Sequence, residues 1–317
     1  MSGFVTKFVS VCLSIITSVA LLFAPVTEGI NMTSSAYAKS FGAVEYDADR
    51  LVPAEDADGW VFNTDRPFKI VQLTDIHIGG GAFSIEKDKK AMNAVAAMLT
   101  AEKPDLVVIT GDMAYPVPFQ AGTFNNSLST EMLIELLETL GVYYAVVLGN
   151  HDSEFYGTHD REAIADLWGA EDLQYSLFKK GPADIDGFGN YIIKVKGTDG
   201  KVKNAFYLLD SHAYTDGDVL GIQWKYDNIK ESQINWYKES VLAIDAANND
   251  GDDIFTSLAF FHIPVPEYNE AASDENAILR GTRMEEACAP KLNTGMFAAM
   301  KESGDVMGIF VGHDHDN

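Results

Sequence analysis

The sequence predicts an α/β fold in which two facing mixed β-sheets are flanked by helices, a four-layer αββα sandwich. Two observations support this fold class. Short apolar runs alternate along the chain with segments of helical periodicity, and four of five Asp-, Asn- and His-rich motifs directly follow such a run. Right-handed crossovers between parallel strands would place these motifs together at one sheet edge.

The first 38 residues are typical of an export signal. Lys7 precedes an uncharged stretch over residues 8–25, and residues 35–38 (Ser-Ala-Tyr-Ala) form a small-x-small cleavage pattern. A retained membrane anchor is the alternative, because the uncharged stretch approaches the length of a spanning helix. We therefore expect a secreted or cell-envelope protein, with a lead-in segment over residues 39–65 and one domain over residues 66–317.

Composition narrows the class of partner. The 317 residues carry a formal net charge of -24, and no Lys/Arg cluster is present, which argues against nucleic acid as the main partner. Cleavage after residue 38 would leave Cys288 as the only cysteine and would exclude an intramolecular disulfide. We predict that Cys288 is a buried, inert thiol. Oligomeric state is not encoded in any recognisable pattern.

The first half of the domain shows a strand and helix alternation. Two strands over residues 59–63 and 68–73 surround a turn at 64–67 and predict a hairpin. The following elements are a helix over 86–103, a strand over 106–110, a helix over 129–140 and a strand over 142–148. This order favours a mainly parallel sheet.

The second half contains more strand. Neighbouring strands over 191–195 and 205–209 surround a turn at 197–200. A helix over 231–247, a strand over 255–261, a helix over 289–303 and a final strand over 306–311 follow.

The five motifs carry the chemistry: Asp75-Ile76-His77, Gly111-Asp112, Gly149-Asn150-His151-Asp152, His262 and Gly312-His313-Asp314-His315. Imidazole nitrogens and carboxylate oxygens are ligands for divalent ions such as manganese, iron or zinc. Two such ions about 3.5–4 Å apart need one ligand that contacts both. A carboxylate can bridge in this way, and we expect Asp112 to be the bridge.

These motifs resemble the calcineurin-like metallophosphoesterase superfamily, whose pattern is D-x-H, G-D, G-N-H-[D/E], H and G-H-x-H. The resemblance covers the chain from about residue 68 to its end. It implies two divalent or mixed-valence metal ions (Mn, Fe or Zn), the first bound by Asp75, His77, Asp112 and His315 and the second by Asp112, Asn150, His262 and His313. It also implies that His151 acts on the substrate phosphate as a proton donor or charge stabiliser, oriented by Asp152 or a neighbouring acid.

Residues 232–236, 261–268 and 312–317 are similar to the purple-acid-phosphatase-like branch of this superfamily. Tyr115 also completes the G-D-x-x-Y block in which a tyrosine of purple acid phosphatases binds ferric iron. His77 replaces the glycine of those enzymes, so we expect Tyr115 to pack at the pocket rim, with metal binding as the alternative. His212 lies just past a predicted strand, where it would reach either substrate or solvent. We take His212 and Tyr115 as possible substrate-binding residues.

The resemblance implies a metal-dependent phosphomonoesterase that is exported and acts on a small phosphorylated substrate, through attack of a metal-bound hydroxide on phosphorus. A phosphodiesterase or nucleotidase could use the same centre, and a non-catalytic secreted metal-binding protein is the alternative of another class. His315 stands two residues from the end of the sequence, whereas family members continue into further strands. We therefore expect the sequence to lack a C-terminal part of the domain.

Overall fold

The computed structural model describes residues 35–47, 50–56, 59–215, 225–249 and 255–316. The predicted export signal lies outside this part of the chain except for residues 35–38. None of the helices in the described ranges is both long enough and apolar enough to cross a membrane.

The described strands form two sheets. One contains six strands in the order β1-β2-β6-β7-β8-β9, and the other contains three in the order β3-β4-β5. The three-stranded sheet is entirely parallel, whereas the six-stranded sheet is mixed. The strands are β1 Ala54–Asp56, β2 Gly59–Asn63, β3 Ile70–Leu73, β4 Leu106–Thr110, β5 Tyr144–Val147, β6 Tyr191–Lys196, β7 Val202–Leu208, β8 Thr256–Phe260 and β9 Val306–Phe310.

The helices flank these sheets. They are α1 Ile85–Glu102, α2 Pro118–Ala121, α3 Asn126–Leu140, α4 Arg161–Trp168, α5 Glu231–Asn248, α6 Glu267–Ser273 and α7 Met296–Ser303. Local sequence sets their ends. The Asn125 side chain accepts the Ser127 N–H at the start of α3, and Gly141 ends that helix with φ 66°.

Two hydrophobic clusters define the layers. The larger contains β3, β4 and β5, the inner face of the six-stranded sheet, and buried residues of α1, α3 and α4. The smaller lies between the other face of the six-stranded sheet and helices α5 and α7. The Tyr191 hydroxyl on β6 links the sheets, since it accepts the Val146 N–H at 2.8 Å and donates to the Val146 carbonyl at 3.0 Å. The predicted α/β class with two sheets flanked by helices is confirmed, but only the six-stranded sheet is mixed, because both strand pairs of the other sheet are parallel.

The predicted hairpin over residues 59–73 is wrong. β2 pairs with β1 in antiparallel and with β6 in parallel orientation, while β3 belongs to the other sheet. The intervening chain crosses between the sheets because long-range contacts hold it. The Thr64 N–H donates to the Lys196 carbonyl at 2.8 Å, and Arg66 Nη1 donates to Asp105 Oδ2, beside β4, at 2.9 Å. The sequence of the turn alone does not indicate these long-range hydrogen-bond partners.

Two further expectations are corrected. The helix predicted over 289–303 begins only at Met296, because Gly295 has φ 90° and its N–H is bound by the Asn293 side chain at 2.9 Å. Cys288 lies in the irregular stretch before this helix and is exposed rather than buried. Desolvation and the neighbouring Asp314 still raise the pKa of its thiol to about 11, so that the reactive thiolate is disfavoured.

Candidate metal centre

The candidate ligands follow the carboxyl ends of five strands. Asp75 and Asp112 come two residues after β3 and β4, Asn150 three residues after β5, His262 two residues after β8, and His313 three residues after β9. These strands are neighbours within the two sheets and end at the same edge. The fold therefore brings residues from distant parts of the sequence into one cluster.

The backbone is strained where it presents these side chains. Asp75, His77, Asp112 and His313 have φ values of 51°, 54°, 52° and 80°. Non-glycine residues rarely adopt this left-handed region, and such conformations cluster at functional sites.

Two glycines allow the close approach of this strained backbone. A Cβ atom at Gly149 would lie 2.1 Å from Asp112 Oδ1, and one at Gly312 would lie 2.0 Å from Thr74 Oγ1. Neither distance is sterically allowed, so any other residue at these positions would displace the ligand loops.

One group of ligand atoms belongs to Asp75, His77, Asp112 and His315, and all of these atoms lie within 4.8 Å of one another. His77 Nε2 lies 3.6 Å from Asp112 Oδ2 and 3.8 Å from Asp75 Oδ1. His315 Nε2 lies 3.2 Å from Asp75 Oδ1, and half of its side chain is exposed. This set is the one that the resemblance assigns to the first metal.

A second group shares Asp112 and adds His262 and His313, again within 4.8 Å of one another. His262 Nε2 lies 3.1 Å from Asp112 Oδ2 and 3.2 Å from Asn150 Oδ1. The structure thus brings all seven predicted ligands to one place, with Asp112 common to both groups.

The hydrogen bonds of His262 orient its Nε2 toward the other candidate ligands. Its Nδ1 donates to the Thr110 carbonyl at 2.7 Å, so Nε2 of the neutral ring offers a lone pair. That lone pair faces two further acceptors, Asp112 Oδ2 and Asn150 Oδ1. Burial disfavours the charged imidazole, but the Asp112 carboxylate outweighs this effect and raises the pKa of His262 to about 9. The Asp112 carboxylate therefore favours a positive charge at this position.

Other ligand atoms lack partners in the described chain. Asp112 Oδ2, His77 Nε2 and His313 Nε2 are buried and have no hydrogen-bond partner among the described residues. Unpaired buried polar atoms each cost about 1–3 kcal/mol. Burial, followed by the charge of His262, lowers the pKa of His313 to about 3, which keeps its imidazole neutral and able to bind a metal. These atoms fit two metal ions bridged by Asp112.

His151 lies beside the ligand cluster. Its Nε2 lies 3.9 Å from Asp112 Oδ2, and its Nδ1 lies 2.6 Å from Glu154 Oε1. Burial lowers the pKa of His151, but the Glu154 hydrogen bond and the Asp112 charge outweigh burial and raise it. His151 Nε2 therefore faces the ligand cluster while Glu154 holds the opposite ring nitrogen.

Asp152 does not take the orienting position. Its carboxylate accepts four backbone N–H groups, from Asp112 at 3.1 Å, Met113 and Ala114 at 2.8 Å each, and Gly149 at 2.7 Å. It therefore ties the loop after β4 to the loop after β5. Of the two acids left open by the sequence, the structure places the neighbouring one, Glu154, against His151.

Tyr115 and His212 were the predicted substrate contacts. The Tyr115 ring stacks on His77 at 4.8 Å and meets His151 edge-on at 4.6 Å, at the rim of the cluster. Burial, with the charges of Glu154 and Asp112, raises the pKa of its phenol and disfavours a phenolate ligand. His212 Nε2 lies 3.0 Å from Gln233 Oε1 on α5. Substrate contact by either residue stays a prediction.

Arg161 was not singled out from the sequence. Its buried guanidinium pairs with Asp210 and donates to the carbonyls of Leu148 at 3.0 Å, Gly149 at 2.7 Å and His212 at 3.3 Å. It thereby joins the loop after β5 to the loop after β7. Only the tertiary contacts reveal this role, because an arginine at a helix start has no distinctive signal.

Sequence comparisons identify a protein family and several similar proteins. The sequence profile described as calcineurin-like phosphoesterase matches residues 68–317. The chain is 33% identical over 281 residues to probable inactive purple acid phosphatase 14 of Arabidopsis thaliana, and the alignment covers 81% of this chain and 67% of that protein. It is 31% identical over 284 residues to probable inactive purple acid phosphatase 29 of the same plant, with 81% and 69% covered. It is 36% identical over 275 residues to phosphatase DCR2 of Saccharomyces cerevisiae, with 79% and 44% covered.

Proposed function

The chain belongs to the calcineurin-like phosphoesterase family, and we propose that it is an active, exported phosphomonoesterase that uses two metal ions. The ions would be held by Asp75, His77, Asp112 and His315 on one side and by Asp112, Asn150, His262 and His313 on the other. The substrate would be a small phosphorylated molecule.

One observation carries the proposal of activity. His151 lies beside the ligand cluster, its Nδ1 is bound by Glu154 at 2.6 Å, and its pKa is raised despite burial, chiefly by that hydrogen bond. A protein that used metal only for structure or binding would not need an imidazole that is oriented toward the ligand cluster by a buried carboxylate. The arrangement therefore favours a catalyst over a metal-binding protein without activity.

When bound, the two cations would supply an activated water and neutralise charge on the phosphate oxygens. His151 Nε2–H would donate to the phosphoryl oxygen or to the leaving-group oxygen. Glu154 holds the imidazole in the tautomer and orientation that this donation requires. Tyr115 packs against both His77 and His151 and so limits the positions that water and substrate can take.

The names of the relatives differ on whether these proteins are catalytically active. Two Arabidopsis relatives are named probable inactive, and the yeast relative is named a phosphatase. Activity of this chain is therefore argued from its own residues. Export is proposed from residues 1–38, whose charge pattern and small-x-small site are typical of a cleaved signal.

The test is hydrolysis of p-nitrophenyl phosphate and bis(p-nitrophenyl) phosphate by the purified protein with added manganese, before and after chelation. We expect metal-dependent turnover, faster on the monoester. His151→Ala should lower kcat about 10²–10⁴-fold, because general acid catalysis contributes that much. His159→Ala is the matched control, since that ring pairs with Thr158 Oγ1 outside the cluster.

Metal content separates the outcomes of this test. His151→Ala should bind two ions per chain, as we also expect of the wild-type protein. Absence of turnover on both esters in a protein that binds two ions would refute the catalytic proposal and favour the metal-binding alternative. Loss of metal in His151→Ala would instead make His151 a ligand.

A further inference from the structure

We propose that Tyr214 is a positioning residue whose single hydroxyl fixes both a metal-binding side chain, Asn150, and the proton donor, His151. The proposal rests on the proposed function for its catalytic part only. Tyr214 lies beyond β7, and its ring packs against Tyr226 with ring centroids 5.7 Å apart. Nothing in its local sequence marks it as part of the site.

The hydroxyl joins two side chains from the loop after β5. It accepts a hydrogen bond from Asn150 Nδ2 at 2.8 Å and donates one to Glu154 Oε1 at 3.0 Å. A phenol is protonated at neutral pH, so this hydroxyl can donate one hydrogen bond while it accepts another. A phenylalanine ring would fill the same space and make neither bond.

The first bond decides which end of the Asn150 amide faces the metal site. An amide nitrogen carries two hydrogens and has no lone pair for a cation, whereas the oxygen is a metal ligand. Because Nδ2 is held by Tyr214, Oδ1 is turned toward His262 Nε2, 3.2 Å away. Without the hydroxyl, the amide would be free to rotate and to present its N–H groups to the cation.

The second bond acts on His151 through Glu154. Glu154 is only 5% exposed, and its Oε1 accepts from both Tyr214 and His151 Nδ1, whereas its Oε2 has no hydrogen-bond partner in the described part of the chain. Loss of the Tyr214 bond would leave one donor, the imidazole itself, to hold a buried carboxylate. The carboxylate would then rotate, and His151 would lose its fixed orientation.

The test compares Tyr214→Phe with Tyr226→Phe. The two tyrosines pack against each other, but the Tyr226 hydroxyl forms no hydrogen bond within the described residues. We expect Tyr214→Phe to weaken binding of one of the two manganese ions about 10–100-fold in equilibrium dialysis, and to lower kcat about 10–100-fold with KM changed less than about threefold. Tyr226→Phe should change neither quantity.

Each outcome decides the proposal. Equal metal affinities and equal kcat values in Tyr214→Phe and the wild-type protein would overturn it, as would equal effects of both variants. A wild-type protein that binds two ions but hydrolyses no ester would refute the proposed function, and dialysis would still decide the role of Tyr214. A chain that binds no manganese would contradict both proposals.

Discussion

Asp152 gives the sharpest test of how the ligand loops are held. Its Oδ1 accepts the N–H groups of Met113 and Ala114, and its Oδ2 accepts those of Asp112 and Gly149. In Asp152→Asn one oxygen becomes an NH₂ group, which faces two N–H donors and can bind neither. Two bonds to a charged acceptor are lost at about 1.5–3 kcal/mol each, so we expect a loss of about 3–6 kcal/mol.

This loss can be measured by urea unfolding of the chelated protein, so that metal affinity does not contribute. With an m value of about 2–3 kcal/mol/M, the midpoint should fall by about 1–3 M. Asp160→Asn is the matched control. Asp160 is exposed and caps α4 through the Ala163 N–H at 2.9 Å, and asparagine is an equally good cap. A midpoint for Asp152→Asn within about 0.3 M of the wild-type value would refute the structural role argued for this carboxylate.

Three further predictions follow from the same contacts. Gly149→Ala should abolish tight metal binding in a titration, because its Cβ atom would lie 2.1 Å from Asp112 Oδ1. Gly42→Ala is the control and should bind metal normally, because no atom lies within 4 Å of a Cβ atom at that position. Equal metal binding by the two variants would contradict the steric argument. Burial raises the pKa of Asp210, but the charge of Arg161 has the larger effect and lowers this pKa. The ion pair should therefore stabilise the fold fully above the unfolded-state pKa of about 3.9, and this stabilisation should be lost as the pH falls below that value. Asp210→Asn should remove the contribution of this ion pair to the acid-induced decrease in melting temperature. An unchanged decrease in the variant would contradict the stabilising role of the pair. Chelation of the manganese-loaded protein should lower its unfolding free energy by about 2.7 kcal/mol per site at 100 times Kd, and an unchanged melting temperature would show that no site is occupied.

The sequence predicted that the candidate ligands would come together, because each motif is local to a strand and its following turn. Asp75, Asp112, Asn150, His262 and His313 all lie just past an apolar run, and parallel strands bring such positions together. The predicted hairpin was wrong because the turn at 64–67 does not specify the sheet that each flanking strand joins. Sheet membership is set instead by the long-range pairing of β2 with β6 and of β3 with β4.

The residues that support the site were harder to predict. Asp152 and Glu154 both follow His151, and the sequence alone does not say which carboxylate reaches the imidazole. The chain forms a 3-10 turn over His151–Ser153, in which side chains three residues apart lie on the same face. Glu154 therefore reaches the imidazole, and Asp152 points back into the protein. Tyr214 and Arg161 come from distant segments, so their roles depend on tertiary contacts that no local pattern records.

Anomalous scattering from a manganese-loaded crystal would locate the metal ions. We expect two peaks about 3.5–4 Å apart, both adjacent to Asp112 Oδ2. One peak should contact Asp75, His77 and His315, and the other should contact Asn150, His262 and His313. A single peak, or two peaks that do not share Asp112, would contradict the account.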